Sequence, residues 1–176
     1  MREILEGIFT WPWFSQRHGY DFNGYLVRHP GGNVCVDPVE MAPEVEGELA
    51  SLGVDRIVLT IRNHFRASMK VKERTGAPIA IHPADAAFAR EKGTRIDEDL
   101  RAGEHVGPFE IVASPGKSPG ECALLPDAVI DDKPRLAVSQ RTLAALDFDA
   151  LLLGDGAPIL EGGRAALRRL VEGLPR

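Results

Sequence analysis

Strands and helices alternate through the middle of the chain, and this alternation constrains the fold more than any other sequence feature. Proline at position 43 suits a first helical turn and glycine at position 53 suits the end of a helix. Hydrophobic periodicity then predicts a helix over 43–52, a strand over 56–61, a helix over 67–75, a strand over 77–82 and a helix over 83–92. Such units imply parallel strands, and ligands usually bind beyond the carboxyl ends of parallel strands.

The strand over 56–61 ends in a cluster of polar side chains. Two arginines, an amide and an imidazole follow it within five positions, namely Arg62, Asn63, His64 and Arg66. Because these residues lie where a parallel sheet presents its strand ends, we expect the chemistry of the chain to be found in this loop.

The flanking parts of the chain predict antiparallel strands. Two apolar strands, over 23–29 and 33–38, surround a Pro-Gly-Gly turn and form a hairpin. An earlier strand, over 4–14, is expected to break at Pro12. Its aromatic residues Trp11, Trp13 and Phe14 suit the core or a homodimer interface better than the wall of a binding cleft. Later elements are predicted around 104–113, at 122–125, at 148–153 and in a final helix over 163–172.

Composition excludes several classes of protein. The chain of 176 residues has 21 Lys and Arg against 26 Asp and Glu, and a net charge of −5 argues against a nucleic-acid partner. No apolar run is long enough to span a bilayer, and the first residues lack the apolar core of a signal peptide. We expect a single cytoplasmic domain over 1–176 that binds no membrane. Cys35 and Cys122 lie in apolar runs and are expected to be small buried hydrophobes.

Four stretches occur in an order that resembles the metallo-β-lactamase-fold superfamily. They are the 23–38 hairpin with its acidic turn Asp37-Pro38, the loop after Leu59-Thr60, the loop Ser114-Pro115-Gly116-Lys117-Ser118-Pro119-Gly120, and the segment Leu152-Leu153-Gly154-Asp155-Gly156-Ala157-Pro158-Ile159. The resemblance covers nearly the whole chain and implies an α/β fold, the four-layer αβ/βα sandwich of metallo-β-lactamase type.

The same resemblance implies a metal site, usually of zinc, that activates water for hydrolysis. Here the four ligand positions of the family's His-x-His-x-Asp-His motif fall on Ile61, Asn63, Phe65 and Arg66. The later histidines are replaced by Lys117 and Asp155, and either Asp127 or Asp132 takes the place of the bridging aspartate. Apolar side chains cannot ligate, arginine stays protonated, and an amide is a weak ligand. We therefore expect no metal ligands and no cofactor, zinc being implied by family resemblance alone.

This altered cluster supports three hypotheses. A Lys117–Asp155 salt bridge could join two loops that a metal would otherwise join, and loss of one partner would then cost about 3–5 kcal/mol. Arg62, Arg66 and Lys117 could instead bind an unidentified small anion, unless the arginines face solvent or backbone carbonyls. The third hypothesis is residual hydrolysis, with His64 as the base and Asp155 as its partner. A purely structural role for His64 is the alternative.

The sequence thus predicts a hydrolase-like protein with a degenerate metal site, not a dinuclear zinc hydrolase. One alternative is an active hydrolase that uses the altered His, Asp, Arg and Lys site on an ester, thioester or phosphoester. The other is a module that binds a small anion or a protein.

Overall fold

The computed structural model of the chain describes residues 1–126, 143, 145–152 and 158–172. The strands are β1 (Arg2–Leu5), β2 (Ile8–Ser15), β3 (Tyr20–Val27), β4 (Val34–Val36), β5 (Arg56–Leu59), β6 (Ile79–Ile81), β7 (Glu98–Asp99), β8 (His105–Val106), β9 (Phe109–Ala113) and β10 (Cys122–Pro126). The helices are α1 (Pro43–Leu52), α2 (Ser68–Thr75), α3 (Pro83–Glu91) and α4 (Gly163–Glu172). None of these helices has the length and apolar content needed to cross a lipid bilayer.

Seven strands form one large sheet in chain order, from β1 to β7. The first four strands pair antiparallel, as the predicted hairpin requires, and β4 to β7 pair parallel, as the predicted strand-helix-strand units require. A second antiparallel sheet has the order β10-β9-β8. The carboxyl ends of β4, β5 and β6 therefore lie at the same edge of the large sheet.

The two faces of the large sheet bury different cores, because successive side chains of a strand point in opposite directions. On β5, Ile57 and Leu59 pack with the helices, together with Trp11 and Leu49. Val58, between them, packs against the second sheet through a separate cluster. Helices, large sheet and second sheet thus form successive layers of a sandwich.

Two predictions about local structure are wrong, and one short strand was not predicted. Pro12 does not end a strand but lies inside β2, opposite Asn23 of β3. β1 covers β2 only at residues 8–10, so the missing N–H of proline falls at a strand edge, where it is tolerated. The short strand β7 was not anticipated. The strand predicted over 148–153 is represented by a single bridge between Leu151 and Ile159, and residue 153 lies outside the described part.

The aromatic residues of β2 divide between core and surface. Trp11 is buried and its indole donates to the carbonyl oxygen of Val39 at 3.2 Å. Trp13 and Phe14 are 46% and 57% exposed, so the core prediction holds for Trp11 alone. Both cysteines are free and buried, as expected. Burial raises the pKa of the Cys122 thiol to about 12, with smaller effects from nearby carboxylates, and keeps that thiol protonated.

Candidate functional site

The site begins where two neighbouring parallel strands end. Val36 of β4 lies opposite Val58 of β5, so Asp37 and Thr60 come together just beyond the two strands. Asp37 has a φ of 45°, in the left-handed region that aspartate tolerates better than most residues. Its Oδ1 accepts from the Thr60 amide at 2.8 Å and its Oδ2 from the Thr60 hydroxyl at 2.5 Å. The carboxylate thereby fixes the start of the loop after β5.

His64 is the third member of this cluster. Its Nδ1 lies 2.8 Å from Asp37 Oδ2 and 3.5 Å from the Thr60 hydroxyl. The side chains of Asp37 and His64 are 4% and 10% exposed. Burial alone would raise the pKa of Asp37, but the charge of His64 and the hydrogen bonds from His64 and Thr60 outweigh it, and the pKa is lowered. Asp37 is therefore an ionised carboxylate at neutral pH.

A second buried carboxylate, Asp85 in the first turn of α3, joins two loops. Its Oδ2 accepts from the Arg62 amide at 3.0 Å and from the Ser118 hydroxyl, and its Oδ1 accepts from the Gly120 amide at 3.1 Å. Asp85 is fully buried and Ser118 is 4% exposed. The contact between α3 and Gly120 is so close that a Cβ added to the glycine would lie 2.8 Å from Asp85 Cγ. Asp85 thus holds the loop after β5 against the loop over 114–120.

The two arginines of the cluster reach different elements. The guanidinium of Arg62 stacks on Phe88 of α3, 4.9 Å from the ring centroid, and that of Arg66 stacks on Phe22 of β3 at 3.8 Å. Lys92 Nζ lies 5.6 Å from the same Phe88 ring. Among the described residues, no group accepts a hydrogen bond from the buried Nε of Arg62. The arginines thus take aromatic contacts that the sequence hypotheses did not include.

The other residues at the family's metal-ligand positions do not converge on one point. Ile61 is 2% exposed, and Phe65 packs against the core on the helix side of the sheet. Asn63 and Lys117 are exposed, and the Lys117 amide donates to Glu121 Oε2 at 2.7 Å. Within 1–126 and the later described residues, no three His, Cys, Asp or Glu side chains lie close enough together to hold a metal ion.

Three predicted site residues, Asp127, Asp132 and Asp155, lie outside the described residues. The Lys117–Asp155 salt bridge and the pairing of His64 with Asp155 therefore stay predictions.

Two carboxylates that the sequence reasoning did not assign to the site hold it together, Asp37 and Asp85. Asp37 was available from the resemblance, as the acidic turn after β4, but its contact with His64 depends on the conformation of a loop. The sequence did not indicate a role for Asp85 in the site, because acidic residues are common in first helical turns whatever their contacts.

Comparison with known proteins identifies the family. A model described as metallo-beta-lactamase superfamily matches residues 4–113, well over half of the chain. The chain belongs to this superfamily.

Solved structures share the fold of this superfamily member. A beta-lactamase domain protein from Burkholderia ambifaria aligns with a TM-score of 0.73 and 17% identity, over 97% of this chain and 75% of its own. A metallo-beta-lactamase family protein from Thermus thermophilus gives 0.68 and 20%, over 96% and 79%. A HARLDQ-motif mutant of a metallo-beta-lactamase from Cronobacter sakazakii gives 0.67 and 17%, over 98% and 85%. The predicted sandwich fold is thus confirmed.

One curated relative carries a specific name. A hydroxyacylglutathione hydrolase from Acidiphilium cryptum is 30% identical over 112 residues, which are 60% of this chain. The match spans 44% of the length of that relative.

Proposed function

We propose that this chain is a hydrolase-like member of the metallo-β-lactamase superfamily in which protein hydrogen bonds, instead of a dinuclear zinc centre, hold the loops of the site. The chemistry of the donor set supports this proposal. Ile61 and Phe65 have no donor atoms, and Arg66 stays protonated. A site containing Arg66 also repels divalent cations, so these residues do not fit the family's metal.

The contacts of Asp85 are the observation that carries the proposal. A metal would join loops by binding one ligand from each, and Asp85 joins the loop after β5 to the loop over 114–120 through Arg62, Ser118 and Gly120. Each of these donors lies on a segment that the resemblance identifies with a metal-ligand segment of the family. Three hydrogen-bond donors stabilise the negative charge of the Asp85 carboxylate, so the two loops need no cation to stay together.

The test is the metal content of the protein purified from medium supplemented with zinc, iron and manganese. We expect far less than one equivalent of any of them, and no change in thermal midpoint on addition of zinc or a chelator. A control variant restores the motif through Ile61→His, Asn63→His, Phe65→Asp and Arg66→His, and shows whether the assay detects a competent site. Stoichiometric metal in the wild-type protein would overturn the proposal.

Hydrolysis of a thioester is a second candidate function, favoured by the 30% identity to the hydroxyacylglutathione hydrolase. Its test is the release of thiol from a hydroxyacylglutathione in the presence of a chelator. Release at the rate of the buffer alone would rule out this function for the metal-free protein.

A further inference from the structure

His64 and Asp37 form a pair whose geometry fixes the tautomer of the imidazole. An ionised carboxylate can only accept hydrogen bonds, so the proton between Asp37 Oδ2 and His64 Nδ1 belongs to Nδ1. The neutral imidazole then keeps a lone pair on Nε2. The hydrogen bonds that the described residues make to the His64 side chain are at Nδ1, and a tenth of the side chain stays exposed.

The carboxylate of Asp37 accepts two hydrogen bonds besides its contact with His64. Both carboxylate oxygens accept from Thr60, one from the amide and one from the hydroxyl. These bonds orient the carboxylate towards His64. Together with His64 they lower the pKa of Asp37 and keep it ionised. The arrangement has the parts of an oriented base: a carboxylate, an imidazole bound through Nδ1, and an Nε2 that carries the lone pair.

His82, at the end of the adjacent strand β6, provides an internal contrast. Its Nδ1 accepts from the Ala84 amide at 3.2 Å, as the cap of α3. The neutral ring of His82 therefore carries its proton on Nε2, and its lone pair is used within the protein. The neutral rings of His64 and His82 thus have opposite tautomers. In His82 the lone pair is on Nδ1 and accepts from the Ala84 amide, whereas in His64 the basic nitrogen is Nε2.

We propose that His64 is the general base of a metal-independent hydrolysis of an ester or thioester, and that Asp37 is its positioning residue. This inference rests on the proposed absence of a metal. Nε2 takes a proton from water as the water oxygen bonds to the carbonyl carbon. The tetrahedral intermediate then breaks its C–S or C–O bond, and the proton on Nε2 passes to the leaving thiolate or alkoxide. Asp37 stays ionised throughout and stabilises the imidazolium.

The tautomer can be measured without knowing the substrate. Nitrogen-15 NMR of the histidine rings should show Nδ1 protonated in His64 and Nε2 protonated in His82, with the His64→Gln spectrum assigning the signals. A ring of His64 protonated on Nε2 would overturn the inference even if hydrolysis were observed.

Kinetics with p-nitrophenyl acetate and an acyl thioester, both in excess chelator, test the reaction. We expect His64→Gln to lower the rate by about 100-fold, the lower end of what a general base contributes. Asp37→Asn should cause a similar loss and alter the pH–rate profile, because an amide can favour the wrong tautomer. His29→Gln is the matched control, because His29 lies at the opposite end of β4, and its rate should equal that of the wild type.

The outcomes separate the two proposals. Bound metal, with activity lost on chelation, would refute the metal-independent function. A metal-free protein that hydrolyses neither probe, or that keeps its full rate in His64→Gln, would refute the role of His64 alone. Circular dichroism of each variant checks its folding, and if Asp37→Asn fails to fold, the wild-type NMR measurement still decides.

Discussion

Substitution of Asp85 is the sharpest perturbation of the site, because a single side chain joins two loops. Asp85→Ala would leave the Ser118 hydroxyl and the amides of Arg62 and Gly120 without their acceptor. A buried donor left unsatisfied costs about 1–3 kcal/mol, but relaxation and water entry would recover part of that for three neighbouring donors. We therefore expect Asp85→Ala to lower the free energy of unfolding by about 3–5 kcal/mol.

Asp85→Asn removes the negative charge of the side chain but keeps its shape. The amide keeps one acceptor oxygen, but its NH₂ group would face one of the donors that Asp85 now binds. The expected loss is smaller than for alanine, about 2–3 kcal/mol. Urea denaturation, followed by far-ultraviolet circular dichroism, measures both variants.

A double-mutant cycle with Ser118→Ala tests whether the contact itself carries the effect. Removing both partners should cost less than the sum of the single losses, with a coupling of about 1–2 kcal/mol. Asp99→Asn is the control, since Asp99 pairs with Arg101 on the surface and should contribute less than about 1 kcal/mol. Additive losses for Asp85 and Ser118, or a loss at Asp85 no larger than at Asp99, would refute this account of the loops.

Three further predictions concern other residues of the chain. The pKa of Asp37 is lower in the folded than in the unfolded chain, so stability should fall as the pH drops below about 4 towards the folded pKa, and less steeply in Asp37→Asn, as acid titration with circular dichroism would show. Gly24→Ala should cost about 1–3 kcal/mol in urea denaturation, because its Cβ would lie 2.4 Å from the Trp11 ring, whereas Gly47→Ala meets open space in α1 and should not destabilise. Phosphate or small carboxylates should raise the thermal midpoint if the cluster binds anions, and Arg62→Met should reduce the rise; no rise with any anion would exclude such a site.

Helix α1 and strands β5 and β6 could be predicted because their signals are local. Proline at position 43 and glycine at position 53 bound α1 as expected, and the apolar runs gave β5 and β6. The predicted break at Pro12 is wrong because a missing N–H is harmful only where a neighbouring strand needs it. Whether β1 extends past residue 10 of β2 is a property of the sheet and not of the sequence around Pro12.

The place of the loop after β5 in the sheet could be predicted, but the contacts of its side chains could not. The end of β5 indicated which loop to consider, because the carboxyl ends of parallel strands lie at the same edge of a sheet. The paths of Arg62 and Arg66 depend on Phe88 and Phe22, which lie 26 residues after one and 44 residues before the other. No local sequence pattern predicts such a contact, because its two residues are far apart in the sequence and adjacent only in the fold.

The loop after β5 is held at two points, and this bears on what its remaining residues can do. Asp37 binds the amide of Thr60 at the start of the loop, and Asp85 binds the amide of Arg62 two residues later. Because both anchors hold main-chain groups, the side chains beyond them do not have to maintain the path of the loop there. The exposed Asn63 is therefore free to change without loss of fold, and effects of its substitution on binding or rate would report on the ligand.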